Sequence, residues 1–331
     1  MESANNLPEI EVADYAADYN ITQQTRNFLK GLNTSGAAPL ETLSPSEARK
    51  VLEGGQSAFT VDLSGIEESD KTITAGGYTI KLNIVRPEGG KEKLPAFLFI
   101  HGGGWILGDY PTHKRMVRDL VVLTGCCGIF VNYTRTPEAK YPQALNEIYS
   151  ALEWIAANGN EINVDGKNLA IAGNSAGGNL AAAAALKTKL NNGPELKVQV
   201  LFWPVIEANF ETESYGKYAE DRFLTANMMK WMWDLYADGS EREEIYASPI
   251  HASLDDLKGL PPTLIQTAEN DVLRDEGEAY GRRLDEAGVT VTSIRYNGMI
   301  HDFGLLNGLA ELPATRSLFE HAASHIKKYL K

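Results

Sequence analysis

The sequence predicts an α/β fold, a mostly parallel central sheet with helices on both faces and a helical lid. Three observations predict it. Six short, nearly continuous apolar runs recur between residues 96 and 296, and helical patterns separate most of them. Strands apolar on both faces that alternate with helices belong to a parallel sheet covered on both sides. About sixty residues between the fourth and fifth runs break this rhythm and read as an insertion.

The first ~60 residues look helical and poor in apolar side chains. Ser44-Pro45-Ser46-Glu47 reads as a helix start, with Ser44 as N-cap, Pro45 first and Glu47 closing a capping box. That helix is expected to run to about Glu53 and to end at Gly54-Gly55. TITA and YTIKLNIV flank Gly76-Gly77, a two-residue hairpin signal. The buried runs follow: AFLFI (96–100), GIFVNY (128–133), NLAIAG (168–173), VQVLFW (198–203), TLIQTA (263–268) and VTSIRY (291–296). PTHKRMVRDLVVLTG, YPQALNEIYSALEWIAAN and EGEAYGRRLDEAG are the helices between them. In the insertion, residues 223–239 read as one amphipathic helix capped by Thr225. The expected division is 1–60 and 205–245 as the two parts of a lid, with 61–204 and 246–331 as the two parts of the core.

Composition narrows the function classes. The 331 residues carry 31 basic and 44 acidic side chains, a formal net charge of -13. An acidic surface repels phosphate backbones and anionic headgroups, so nucleic acid is not an expected partner. No apolar stretch of ~18 residues suggests a membrane span. The acidic, polar start lacks the basic and apolar regions of a secretory signal, which points to the cytoplasm unless a signal has been removed. Cys126 and Cys127 are adjacent, a poor arrangement for a disulfide, and no cysteine–histidine cluster suggests a metal. They read as small buried hydrophobes.

Two glycine motifs carry the chemistry. GNSAGG (173–178) stands between a strand and a helix, as G-x-S-x-G. A nucleophilic serine there needs a sharp, strained turn, and glycines two residues either side avoid collision with the neighbouring strand and helix. The motif alone is weak, since at background residue frequencies it arises by chance in about one chain in ten of this length, and a glycine-rich turn between strand and helix is the alternative. HGGGW (101–105) follows the strand AFLFI. Bare amides placed after a buried strand suit an oxyanion, and Gly103, Gly104 and Ala176 are the candidate donors. Asp271 lies just past the strand TLIQTA, with Glu269 and Asp275 as competitors. His301 lies past the last strand, whereas His101 belongs to the glycine loop and is expected to support its backbone. Ser175, Asp271 and His301 all stand at the carboxyl ends of strands, in the order Ser…Asp…His of the α/β-hydrolase fold.

With HGGGW, GNSAGGN, DVLRDEG and IHDF in order, the chain resembles the hormone-sensitive-lipase-like family of carboxylesterases from about Lys93 onward. YTRTPEAKYPQAL and FLTANMMKWMWDLY extend the resemblance. It implies hydrolysis of short- to medium-chain esters by an acyl-enzyme route, with no metal or other cofactor and a two-part lid. The implied roles fall on Ser175 (nucleophile), His301 (base), Asp271 (orienting acid) and the amides of Gly103, Gly104 and Ala176. Many members carry Asp before the serine, where this chain has Asn174. Trp105, Phe223 and Leu224 are candidates for the substrate pocket. Met228, Met229, Trp231, Met232 and Trp233 line either that pocket or the buried face of the lid helix. The expected partner is a small-molecule ester, and the last strand and terminal helix offer an edge for a homodimer. A non-catalytic receptor, an amidase or an acyltransferase on the same fold are the competing readings.

Overall fold

The computed structural model describes residues 14–90 and 92–330. Helices α1 (Gln23–Asn33) and α2 (Pro45–Ser57) precede the sheet. The Ser44 capping box forms as expected, with Ser44 Oγ accepting from Glu47 N and Glu47 Oε2 accepting from Ser44 N. The helix does not end at Gly54. It continues through both glycines because Gln56 is buried and held from outside. Gln56 Nε2 donates to the carbonyls of Thr112 at 2.6 Å and Leu305 at 3.0 Å, and its Oε1 accepts from Asn307 N at 3.0 Å. Those tertiary bonds outweigh the poor helix propensity of glycine.

The hairpin also forms. Strands β1 (Ile66–Ala75) and β2 (Tyr78–Pro87) pair antiparallel around Gly76 and Gly77, whose φ of 57° and 86° suit a two-residue turn. Then come β3 (Leu94–Ile100), α3 (Tyr110–Thr124), β4 (Cys127–Asn132), α4 (Gln143–Asn158), β5 (Val164–Asn174), α5 (Ala176–Leu190) and β6 (Leu196–Phe202). The insertion holds α6 (Glu213–Lys217), α7 (Ala226–Tyr236) and α8 (Leu254–Leu257). The chain closes with β7 (Thr263–Asn270), α9 (Arg274–Glu286), β8 (Val291–Ile300) and α10 (Pro313–Tyr329). All six apolar runs are strands.

The eight strands form one sheet in the order β1-β2-β4-β3-β5-β6-β7-β8. β2 pairs antiparallel with both β1 and β4, and every pair from β4 to β8 is parallel. Alternate residues serve opposite faces. Ala96, Leu98 and Ile100 of β3 join a core under α4, α5 and α9, while Phe97 and Phe99 join one under α3 and α10. Cys127 and Cys126 divide between the same two cores as free, buried thiols, and burial pushes the Cys127 thiol up to about 12. α5 has no polar stripe at its start: every residue from Ala176 to Ala185 is buried, and the alanine run lets the helix lie close in the core.

In the insertion, Thr225 caps α7 by accepting from Met228 N at 3.1 Å. The helix is shorter than the expected 223–239. Phe223 sits at φ 76° before the cap, and extended Ala237 ends the helix. A new 3-10 turn then starts at Gly239 under its own Asp238 cap. Met229, Met232, Trp233 and Tyr236 are the buried stripe of α7. The N-terminal segment is tied to the insertion by a buried Arg222–Asp18 ion pair at 3.2 Å and by Asn33 Nδ2 donating to Asp221 O at 3.3 Å. Residues 1–13 of the expected N-terminal lid part lie outside the described residues.

Candidate active site

β5 delivers Asn174 to a turn, and α5 starts at Ala176. Ser175 between them adopts φ 56° and ψ −123°, a conformation L side chains rarely take. Its amide donates to Phe202 O at 2.9 Å, and its carbonyl accepts from Val205 N at 3.1 Å and Asn179 N at 3.0 Å. The strain is thus held by the end of β6, the segment just after it and the helix. The flanking glycines are a steric requirement: a Cβ on Gly173 would stand 2.2 Å from Gly177 O, and one on Gly177 would stand 2.1 Å from Ile100 O.

Around the serine the fold assembles a hydrogen-bonded chain. His301 directly follows β8, and its Nε2 lies 3.0 Å from Ser175 Oγ. Its Nδ1 lies 2.7 Å from Asp271 Oδ2, on the loop between β7 and α9. Because the carboxylate only accepts, Nδ1 carries the proton and Nε2 is left to accept from the serine hydroxyl. Ser175, His301 and Asp271 are 4%, 2% and 1% exposed. Burial disfavours the imidazolium, but the carboxylates of Asp271 and Asp302 outweigh it and hold the His301 pKa above its ordinary 6.5. The competing carboxylates are engaged elsewhere. Glu269 Oε2 accepts from Gly298 N at 2.7 Å, and Asp275, inside α9, bonds Arg274 Nε and Ser214 N.

The loop after β3 faces the same end of the sheet. Gly102 N donates to Asn174 Oδ1 at 3.0 Å, and Gly103 O accepts from Leu107 N at 2.8 Å. The amides of Gly103, Gly104 and Ala176 have no protein acceptor among the described residues. His101 is structural, as expected: its ring stacks on Tyr133 with centroids 4.2 Å apart, its Nδ1 bonds Gly102 O, and burial drives its pKa well below 6.5.

Trp105 is 1% exposed and stacks flat on Tyr236 of α7, centroids 4.1 Å apart. Leu224 is buried, and Phe223 is partly buried against both cores. Met232 presses its sulfur where a Cβ on Gly104 would be, 2.1 Å away. Among the described residues no group of three or more His, Cys, Asp or Glu side chains is arranged to hold a metal ion. No helix among them is long and apolar enough to cross a membrane.

Sequence reasoning missed a second buried cluster beside the histidine. Asp302 Oδ1 accepts from Trp203 Nε1 at 2.7 Å and from Asn174 Nδ2 at 3.2 Å, and its Oδ2 is 3.9 Å from His301 Nε2. The only hint in the sequence is an acidic residue directly after the histidine.

A family model described as the alpha/beta hydrolase fold matches residues 97–305. The chain belongs to the α/β-hydrolase family. Within it this hydrolase falls on the hormone-sensitive-lipase-like branch, as the motifs imply. It is 38% identical over 314 residues to a putative alpha/beta hydrolase of Acanthamoeba polyphaga mimivirus, covering 93% of this chain and 88% of that one. It is 31% identical over 264 residues to the carboxylesterase NlhH of Mycobacterium tuberculosis, covering 79% and 82%. A crystal structure of a thermostable esterase from Pseudomonas putida superposes with a TM-score of 0.94 at 56% identity, covering 95% of this hydrolase and 99% of that chain.

Proposed function

We propose that this ester hydrolase is a serine carboxylesterase that cleaves short- to medium-chain carboxylic esters through an acyl-enzyme. The observation that carries the reading is the unbroken chain from Ser175 Oγ through His301 to Asp271, at 3.0 and 2.7 Å. Ser175 Oγ attacks the ester carbonyl while His301 Nε2 takes its proton. Asp271 keeps the imidazole in the right tautomer and stabilises the imidazolium. The negative charge on the carbonyl oxygen falls to the free amides of Gly103, Gly104 and Ala176. His301 then protonates the departing alcohol. Water repeats the sequence on the acyl-enzyme and releases the acid.

Segments 1–60, described from residue 14, and 205–245 act as the lid over the core formed by 61–204 and 246–331. Trp105, Phe223 and Leu224 shape the apolar pocket under it, and such a pocket discriminates acyl chains by about 1–3 kcal/mol per methylene. The test is hydrolysis of p-nitrophenyl esters from acetate to palmitate by wild type and Ser175→Ala. Turnover of the short esters that disappears in the variant is expected. A wild type inert on the whole series, or a variant that still turns over, overturns the reading.

A further inference from the structure

Asp302 is a buried carboxylate, 6% exposed, whose backbone is held at φ 59° by Leu305 N and Leu306 N donating to its carbonyl. A non-glycine residue persists in that region only where its surroundings over-determine it. The side chain is equally constrained, because Trp203 Nε1 and Asn174 Nδ2 both fasten Oδ1. The orientation of Asn174 follows from chemistry. The Gly102 amide only donates and Asp302 only accepts, so the Asn174 oxygen faces the first and its nitrogen the second. One side chain therefore joins the glycine loop to the carboxylate behind the histidine. An aspartate at 174 would set two carboxylates in contact there.

These fastenings leave Oδ2 turned toward His301 Nε2 at 3.9 Å. That is too long for a hydrogen bond, so Asp302 does not compete with Ser175 for the ring nitrogen, yet it lies well within range of an opposite charge. Among the described residues, His301 is the only ion-pair partner of Asp302. A buried carboxylate without a cation is costly. The charge is repaid only when the imidazole is protonated, which happens when Ser175 gives up its proton.

We propose that Asp302 is a second positioning carboxylate for His301, held by Trp203 and Asn174 so that its charge stabilises the imidazolium formed during acyl transfer. In that step the Oγ–H bond of Ser175 breaks, the proton moves to Nε2, and the oxygen's electron pair forms the bond to the ester carbon. Asp271 acts on the opposite nitrogen. Stabilisation present mainly when the proton has moved is differential and raises the rate. The inference rests on the serine-esterase reading above.

The other groups facing this cluster do not titrate with it. From α3, His113 lies near Asp302, and burial lowers its pKa to about 4 despite that carboxylate. His101 beside it is held neutral by burial. Arg115, two residues on in α3, is committed to Asp119 at 3.0 Å and to the carbonyls of Gly304 and Leu305, and Lys114 to Glu68. The acid limb of activity therefore reports His301 under the joint influence of Asp271 and Asp302.

The test is the pH profile of kcat/KM for wild type, Asp302→Asn and Trp203→Phe, with imidazole NMR titration of His301 in each. Asp302→Asn is expected to move the His301 midpoint down by about one unit and to lower plateau kcat/KM about tenfold. Trp203→Phe keeps the charge but removes one of its two fastenings, so its midpoint is expected to fall by less than in Asp302→Asn. An unmoved midpoint in folded Asp302→Asn overturns the inference. If Asp302→Asn does not fold, Asp302→Ser is read by the same criteria. The NMR titration needs no turnover, so failure here is distinguishable from failure of the esterase reading, which Ser175→Ala decides.

Discussion

Replacing Gly104 by alanine tests the proposed oxyanion assignment through sterics, since the proposed donor is backbone and cannot be deleted. The new Cβ would fall 2.1 Å from Met232 Sδ, 2.5 Å from its Cγ and 2.8 Å from its Cε. Ordinary contact is about 3.5–4 Å, so something must move by roughly 1.5 Å. Methionine is flexible, but Met232 is 3% exposed on the buried stripe of α7 and has little room to yield. Gly104 itself sits at φ 58°, which costs a non-glycine residue about 1–2 kcal/mol. A displacement near 1 Å at a reacting centre costs about 10²-fold, or ~2.7 kcal/mol. Gly104→Ala is therefore expected to lower kcat/KM on p-nitrophenyl butyrate about a hundredfold. Adding Met232→Ala removes the overlap but not the backbone strain, and is expected to recover at least tenfold. Both are read by initial rates, with melting curves to confirm folding. Wild-type turnover in Gly104→Ala would refute the placement of that amide at the oxyanion. No recovery in the double variant would refute Met232 as the obstructing group.

Further outcomes follow from the same geometry. The base must be neutral, and the carboxylates raise the His301 pKa, so kcat/KM is expected to rise with pH through a midpoint above 6.5; a profile flat between about pH 5 and 9 would contradict this. Asp271→Asn is expected to lower kcat by about 10⁴, because the amide no longer enforces the productive tautomer, and single-turnover rates would check it. Arg222→Met leaves Asp18 buried without its cation and is expected to destabilise the fold by about 3–5 kcal/mol in urea titration, an effect absent if the pair were solvent-screened. Gln56→Ala removes the acceptor of the Asn307 amide and one donor each from the Thr112 and Leu305 carbonyls, the latter keeping Arg115 Nη2, and is expected to cost about 1–3 kcal/mol by the same assay.

Much of the site was legible because each motif is a local necessity. A Cβ on Gly173 would meet Gly177 O and one on Gly103 would meet the Leu107 backbone, so part of the reason for each motif is written within a few residues. Asp271 was separable from Asp275 by position alone, one in the loop and the other in α9, and the structure adds that Glu269 is spent on Gly298 N. The Asn174–Asp302–Trp203 cluster was illegible for the opposite reason. Its members come from three strand ends far apart in sequence, and nothing about any one of them names the other two.

By itself the sequence determined the strands, the hairpin at Gly76-Gly77, the Ser44 and Thr225 caps and the order of serine, acid and histidine. All depend on period, local turn geometry and chain order. Only the tertiary structure decided the rest. It set β4 between β2 and β3, since strand order reflects crossover paths rather than composition. It carried α2 past two glycines, because Gln56 finds its partners around residues 112, 305 and 307. It ended α7 early and packed Met232 on Gly104, and it gave His301 a second carboxylate. Each of these energies arises between segments distant along the chain, and so exists only once the chain is folded.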